Sequence, residues 1–507
     1  MQNSLTTLAA LLGTMILLAW SFARADRYGR LGILSWSQQI LLALPWLIYF
    51  GCWLFHSYLS LAMLLLLLAL SSLGYVFVGY QMCQLVENIP AQTSDYPLSK
   101  SASSSNLTIP KTPITSQVIS QAPAVSQILN KIAAADLQLI QGIFGIETFY
   151  ATETLPQPGG GVMFRGNLRG EPAEVHQRLS KALSDRSEHL SRKYNLFLVD
   201  GEDLRQLVYV IPANSELEKV SNSQKILSLI LFAVNLFTTS ILGGEIQNID
   251  LIAEPNRWHE TLPFIIGISS ILAVRELAQR WIARKYQIRL TPPFCLPSFQ
   301  IASFGAFSRV KTPIPSRKAL FDLAIAPAIA SSIFSLFLLV LGLILSKNQV
   351  ESIGILLELP SQIFEYSVFI GLLAKSILGN SLAVDLVSIH PLVILGWLGL
   401  TITALNLMPA GQLDGGRIIQ AVYGRKTAAV TTLLTLLLLA LASIINPISL
   451  YWAGIILILL RSQESPMLNE VSELDSDRDA WGIVALFWMI LLILPITPLV
   501  AEKLGIG

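Results

Sequence analysis

"TLPFIIGISSILAVRELAQRWIARKY", residues 261–286, is an apolar run with one charged patch inside it. A membrane-spanning helix needs about 20 predominantly apolar residues, and residues 262–281 come close to supplying them. Within that span lies Arg275-Glu276-Leu277-Ala278-Gln279. Positions i and i+4 of a helix share one face. H-E-x-x-H uses that frame to set two imidazoles on one Zn²⁺, with the Glu as general base on the metal-bound water. Here Arg275 and Gln279 hold the two ligand positions and Glu276 holds the base position. Taken alone the match is weak. The plain alternative is a helix end where Arg and Gln meet the membrane interface.

The rest of the chain has the same character. Of its 507 residues 53% are hydrophobic and 13% charged, whereas a soluble domain carries roughly a quarter charged residues. The composition reads as an all-α polytopic membrane protein. Candidate spans lie near 4–21, 37–56, 58–80, 224–243, 262–281, 319–346, 385–408, 428–445, 446–461 and 480–500. The shorter stretch 364–378 carries Lys375 and reads as interfacial or re-entrant, or as a short span. A net charge of +1 gives no basis for a nucleic-acid partner. Cys52, Cys83 and Cys295 have no paired spacing and point to neither a disulfide framework nor a thiolate metal site. The first apolar run, Leu5 to Trp20, lacks a basic leader and a convincing small-residue cleavage site. It reads as an uncleaved span rather than a signal or transit peptide.

The Lys/Arg bias sets orientation. Arg24, Arg27 and Arg30 place the first loop in the cytosol, and two spans later the chain is back there. The acidic stretch "EIQNIDLIAEPNRWHE" suits the outer side. Arg280, Arg284, Lys285, Arg289, Arg309, Lys311, Arg317 and Lys318 then fall on the cytosolic side, as do Arg417, Arg425 and Lys426. Residues 1–90 thus hold N-terminal spans, and 91–129 form a Ser/Thr/Pro-rich linker with little to bury. Residues 130–215 read as a small cytosolic α+β domain. "GVMFRGNL" alternates like a strand, Val175, Leu179, Leu183 and Leu190 follow a helical period, and "NLFLVD" and "QLVYVI" flank a hairpin turn. Residues 220–507 form the transmembrane core.

A second motif lies in that core. "NLMPAGQLDGGRI", 406–418, contains Asn406, Pro409 and Gly411 followed by Asp414-Gly415-Gly416. A carboxylate at the mouth of a span reads as functional by default. Gly415 and Gly416 are expected to let the chain turn sharply and another backbone approach. Such a break is tolerated at membrane depth only when protein covers it or a wet cavity adjoins it. By the charge-derived topology both motifs lie near the cytosolic face, where they can meet.

Together these stretches resemble the site-2 protease family of intramembrane zinc metalloproteases, peptidase family M50, and within it the EGY-type branch of cyanobacteria and chloroplasts. The resemblance runs from about residue 137 onward. It is carried by "FRGNLRG" (164–170), the opening stretch (261–286), "LPSFQIASFGAFSRVKTPIPSRKALFDLAIA" (296–326) and "HPLVILGWLGLTITALNLMPAGQLDGGR" (390–417). It implies a site-2-protease-like fold in which two His and an Asp bind zinc and the Glu is the base. By position Glu276 and Asp414 remain, while Arg275 and Gln279 stand where the His ligands would be. A Gly is also absent at Ala326-Pro327-Ala328, whereas Asn406, Pro409 and the Asp-Gly-Gly run are intact.

The chain has five His. His176 and His189 lie in the α+β domain and His56 in an outer loop. His259 and His390 precede Arg275 and Asn406 by about 24 Å of helix, so neither is expected to reach Asp414; His390 reads as a helix-start residue beside Pro391. One Asp and one Glu fall short of the three protein ligands a catalytic zinc keeps. An Arg stays protonated and puts positive charge where the cation would sit. Arg275 is therefore expected either to pair with Asp414 in place of a metal or to snorkel to the interface.

The expected function is a proteolytically inactive homologue that binds or regulates transmembrane clients or an active relative within the lipid bilayer, with no cofactor. The alternative is an active intramembrane metalloendopeptidase with zinc in an unusual site. A transporter would be expected to show repeated halves with midplane charges or paired broken helices; the sequence shows one broken segment and no obvious repeat. A bacterial, cyanobacterial plasma or thylakoid membrane is the expected location.

Overall fold

The computed structural model describes residues 134–506, less 157–160, 187–189, 191–192, 202–205, 214–221, 348–355, 445 and 458–463, with scattered residues between 33 and 81. The candidate spans 4–21, 37–56 and 58–80 and the linker 91–129 fall essentially outside the described residues. The chain divides into two compact units, residues 1–121 with 442–459, and residues 122–441 with 460–507. From the first unit the chief described element is a helix over Pro447–Ile455, on the candidate span 446–461. Everything below concerns the second.

Its first part is a small α+β domain. Helix α1 (Ala134–Gln141) precedes strands β1 (Phe149–Pro156) and β2 (Val162–Leu168), then helix α2 (Pro172–Arg186) and strands β3 (Tyr194–Asp200) and β4 (Gln206–Pro212). All strand pairs are antiparallel, in the order β1-β2-β4-β3. Pro172 opens α2, where its missing N–H costs nothing. Val175, Leu179 and Leu183 stack along one face of α2 and bury against Phe164, Leu198 and Val208 of the sheet. Leu190 joins that cluster from beyond the helix end. Strand β1 was not legible in advance: Thr152, Glu153 and Thr154 leave it with little apolar alternation, and it is an edge strand.

The second part is helical. Helices α3 (Asn222–Ile246), α4 (Leu262–Lys285), α5 (Arg317–Lys347) and α8 (Asp414–Ala442) are long and apolar enough to cross a membrane. A hairpin, β5 (Phe294–Ser298) and β6 (Ala302–Phe307), packs between α4 and α5 in sequence and against α3 in space. Strands β7 (Leu357–Pro360) and β8 (Leu386–Ile389) pair around helix α6 (Val368–Leu378). Helix α7 (Pro391–Asn406) follows β8; Pro447–Ile455 is α9, and the chain closes with α10 (Ser476–Ile493) and α11 (Pro498–Leu504), bent by 83°.

Three expected spans change shape, and the shorter stretch 364–378 takes a definite form. The candidate 385–408 becomes β8 plus α7, because Pro391 and the His390 cap start the helix late; His390 Nδ1 accepts from the Leu392 amide at 3.2 Å. Sixteen residues reach about 24 Å, short of a roughly 30 Å hydrocarbon core. The candidate 428–445 is the second limb of α8, which joins a first limb starting at Asp414 across a kink at Gly424 (φ 85°, ψ 176°). Arg317 caps the freed carbonyls there, donating to Ala421 O at 2.7 Å and Val422 O at 2.6 Å. The stretch 364–378 yields an eleven-residue helix, too short to span. The candidate 480–500 is broken at Leu494–Thr497, before Pro498.

Close approach of α5 and α7 anchors this region. A Cβ on Gly396 would lie 2.4 Å from Leu339 N, and one on Gly342 would lie 2.5 Å from Val393 N. Small residues let the two backbones touch; Ser331 and Thr403 then hydrogen-bond across the contact at 3.0 Å. Pro327 sits buried inside α5, and Ser331 Oγ donates back to its carbonyl at 2.7 Å. The segment 468–470 ties the α+β domain to the helices. Leu468 O accepts from Leu198 N at 2.8 Å on one side, while Leu468 N donates to Ile314 O at 2.9 Å on the other. A cavity of about 510 Å³ lies at this junction, lined by Phe197, Tyr209, Ile314, Arg425 and Glu464 among others.

Candidate functional site

Helix α4 turns one face inward. Arg275, Glu276 and Gln279 are buried on it, while Leu277 and Trp281 on the opposite face are exposed. This is the i, i+1, i+4 geometry the sequence frame requires. The second motif arrives by a tight turn. Helix α7 ends at Asn406, Gly411 takes a positive φ of 49°, and α8 starts at Asp414. Asp414 therefore sits at a helix N-terminus, where the peptide dipoles favour a carboxylate.

The sharp turn is not made by Gly415 and Gly416, as the sequence reading had it. Both are helical residues of α8, and Gly411 supplies the unusual conformation. Their need for glycine is steric: a Cβ on Gly415 would fall 1.8 Å from Leu407 O, and one on Gly416 would fall 2.3 Å from Gly411 O. The turn folds back onto the start of α8, so only the second half of the expectation, close backbone approach, applies. The turn is held from outside as well. The Gly411 amide donates to Thr432 Oγ1 at 2.9 Å, and Thr435 donates to Pro409 O at 3.3 Å.

The two motifs meet. Arg275 Nη2 lies 2.7 Å from Asp414 Oδ2, with side chains only 3% and 2% exposed. The approach is ionic and poorly directed, since Asp414 Oδ2 receives no well-aligned hydrogen bond. Arg275 Nη2 also donates to Asn406 Oδ1 at 3.3 Å. Asn406 is fixed in turn: its Nδ2 donates to Ile402 O at 2.7 Å and Phe304 O at 3.1 Å. Gly305 of β6, at φ +120°, makes room for that amide, because a Cβ there would lie 2.8 Å from Nδ2. Arg275 Nε and Nη1 have no acceptor among the described residues. Gln279 makes no hydrogen bond with any described residue.

Glu276 is held by different partners. Arg280, one turn along, donates to Glu276 Oε1 at 2.6 Å, and Ser308 Oγ lies 2.9 and 3.1 Å from its two oxygens. The Arg280 pairing follows from i, i+4 spacing and was available in the sequence. Ser308 was not, because only the return of the β5–β6 hairpin brings it to α4. Behind it Arg417 donates to the buried Glu464 at 2.5 Å and 2.9 Å, and weakly to Ser308 O at 3.5 Å. Three buried or half-buried ion pairs thus balance charge around the site.

Other His residues stay elsewhere. His390 caps α7, His259 bonds Asn256 O in the turn before α4, and His176 faces Leu196 O in the α+β domain, where burial lowers its pKa. His56 and His189 lie outside the described residues. Among the described residues no three His, Cys, Asp or Glu converge in a set suited to a metal. The residues at 275, 279 and 414 do not fit zinc: a guanidinium occupies the carboxylate that would ligate it, and a primary amide replaces an imidazole. Zinc at a catalytic site keeps three protein ligands drawn from His, Cys and carboxylates.

Comparison with known proteins identifies this arrangement. The model of peptidase family M50 matches residues 263–444, and that of the EGY3 middle domain matches 138–219. "Probable zinc metalloprotease EGY1, chloroplastic" of Oryza sativa subsp. japonica is 33% identical over 74% of this chain and 70% of its own length. The EGY1 protein of Arabidopsis thaliana is 33% identical over 74% of both chains. "Probable zinc metallopeptidase EGY3, chloroplastic" of Arabidopsis thaliana is 30% identical over 69% of this chain and 64% of its own. No solved structure matches. With the opening stretch and the Asp-Gly-Gly turn inside the matched segment, the chain is a membrane protein of peptidase family M50, in its EGY-type branch.

Proposed function

We propose that this chain is a proteolytically inactive member of its family that binds, shelters or regulates transmembrane clients or an active relative. The observation that carries the reading is the Arg275–Asp414 contact of 2.7 Å between nearly fully buried side chains. A catalytic metal site needs a deprotonated, available Asp and basic neighbours. Here the Asp is engaged by a permanent cation. Glu276 in turn is engaged by Arg280 and Ser308 rather than facing a water-binding metal. The charge-derived topology puts the α+β domain and the site on the cytosolic side, or the side equivalent to it, of a bacterial plasma or thylakoid membrane. The relatives are named as chloroplastic.

The second reading is an active intramembrane zinc endopeptidase. It is favoured by the retention of Glu276 and Asp414 and by the names of the relatives as probable zinc metalloproteases. Metal content separates the two. The purified native protein in mild detergent is expected to hold no stoichiometric zinc, and the double variant Arg275→His/Gln279→His is expected to acquire it. Stoichiometric zinc in the native protein that disappears on Asp414→Ala would overturn the inactive reading.

A further inference from the structure

Strands β3 and β4 are apolar on both faces. Leu196, Leu198, Val208 and Val210 are buried in the core with α2, while Phe197, Val199, Tyr209 and Ile211 alternate with them on the opposite face. An antiparallel sheet with one face in water carries polar residues on that face, so this second apolar face calls for a cover. The cover is incomplete. Residues 310–314 and the strap at 464–470 leave beside it the cavity of about 510 Å³, which Phe197, Val199, Tyr209, Ile211, Val310 and Ile314 line. That volume falls within the roughly 300–1,000 Å³ of small-molecule sites. Phe197 and Tyr209 are direct cross-strand partners and give the cavity an aromatic wall.

The charges around the cavity select its ligand. Glu464 is held by Arg417 at 2.5 Å, and Glu470 has Arg425 at 3.9 Å. Lys311 also lines the cavity, is half-buried, and has no carboxylate partner among the described residues. The acidic side chains of the lining are thus matched, and the unmatched charge is positive. A complementary ligand has an apolar body and one anionic group. A neutral lipid would leave Lys311 without a partner, and a cationic one would be repelled by it. The position points to the source. Lys311 stands just ahead of α5, and Arg425 lies in α8 beside its kink, both helices being long and apolar enough to cross a membrane. Lys311 therefore sits near the membrane surface, the depth at which a single-chain acid dissolved in the bilayer holds its carboxylate. We propose that this cavity binds a long-chain fatty acid, its carboxylate on Lys311 and its chain against Phe197 and Tyr209. The site is built from the α+β domain, the loop before α5 and the strap, and it stands whether or not the chain is catalytic.

The test uses the full chain in nanodiscs of zwitterionic phospholipid, exposed to a diazirine-bearing palmitic acid or to its methyl ester. After irradiation the labelled residues are mapped by mass spectrometry. The acid is expected to label β3, β4 and residues 310–314, and the ester to label them about tenfold less. Lys311→Met is expected to bring the acid down to the level of the ester, and Lys311→Arg to keep its labelling. Both variants should melt as the native protein does, since Lys311 has no ion pair to lose. Ile211→Trp, at a position 41% exposed on the same face, narrows the cavity and should lower labelling by both probes. Equal labelling of the cavity by acid and ester, or acid labelling unmoved by Lys311→Met, overturns the pairing of a carboxylate with Lys311. Cavity labelling unmoved by Ile211→Trp overturns the placement of the chain. Label confined to the membrane-facing sides of α3, α5 and α8 overturns the site, and shows that the polypeptide itself closes this face.

Discussion

Removing the Asp414 carboxylate tests whether the Arg275–Asp414 pair has taken the place of a metal as the tie between α4 and α8. The pair is buried to within a few percent and touches at 2.7 Å, but only one guanidinium nitrogen takes part and the two others have no acceptor among the described residues. Such a pair contributes little against a well-packed apolar replacement, because desolvation offsets most of its attraction. Breaking it is another matter. Asp414→Leu strands a buried cation with only the Asn406 oxygen at 3.3 Å and is expected to cost about 3–5 kcal/mol. Arg275→Met strands the carboxylate, whose place at the start of α8 softens the loss to about 2–4 kcal/mol. The double variant Arg275→Met/Asp414→Leu buries no charge and should recover most of that stability. The cycle is read by equilibrium unfolding in mixed detergent micelles, with a coupling of about 2 kcal/mol or more between the positions. A coupling below about 0.5 kcal/mol, or a double variant as unstable as the sum of the singles, would refute the reasoning.

The α5–α7 contact and the α+β junction give two further tests. Gly396→Ala puts a Cβ 2.4 Å from Leu339 N and 2.6 Å from Ser335 O, both backbone atoms, so the helices must separate. The expected loss is about 1–3 kcal/mol, and a thermal shift indistinguishable from native protein would show the helices lie farther apart. At the junction, burial pushes the Glu470 carboxyl above its usual 4.5, outweighing the Met467 amide and the Arg425 and Arg317 charges that lower it. The folded chain then binds more protons than the unfolded one above pH 4.5, so this group's contribution is full below that pH and is lost as pH rises through its folded value. Glu470→Gln should flatten that part of the stability profile and stabilise the protein at neutral pH; an unchanged profile would locate the pH dependence elsewhere.

The sequence exposed the parts of the fold that repeat locally. Apolar runs marked α3, α4 and α5 because a span declares itself by composition, and the spacing of Val175, Leu179 and Leu183 marked α2. It misjudged the places where one side chain ends a helix. Pro391 and His390 shortened 385–408, and the limb of α8 from Asp414 to the kink at Gly424 was not read as helix at all. Hydropathy averaged over a window does not register either event. The site divides the same way. The i, i+4 frame at 275–279 and its Arg280 neighbour are local and were legible. Ser308 at Glu276 and Glu464 at Arg417 depend on contacts 32 and 47 residues apart along the chain, and no spacing rule reaches them.

The identity of the residue at 275 follows from the one at 414. An Asp buried at the start of α8 behind a Gly411 turn cannot shed its charge cost to water, being 2% exposed. With imidazoles on α4 a metal would balance it; without them the carboxylate must protonate or find a cation. Of the two vacated positions, 275 is level with Asn406, whose Oδ1 accepts from the guanidinium and whose Nδ2 is anchored to Ile402 and Phe304. A cation there gains a second, fixed partner. Gln279, one turn away, carries no charge. A Lys at 275 could match Asp414 but would present a point charge without the planar fork. The geometry therefore accounts for three choices together: a carboxylate retained at 414, Arg rather than Lys at 275, and an uncharged residue at 279. It also explains why restoring one His alone should not restore a metal site, since Gln279→His leaves Arg275 on Asp414, the carboxylate at the ligand position.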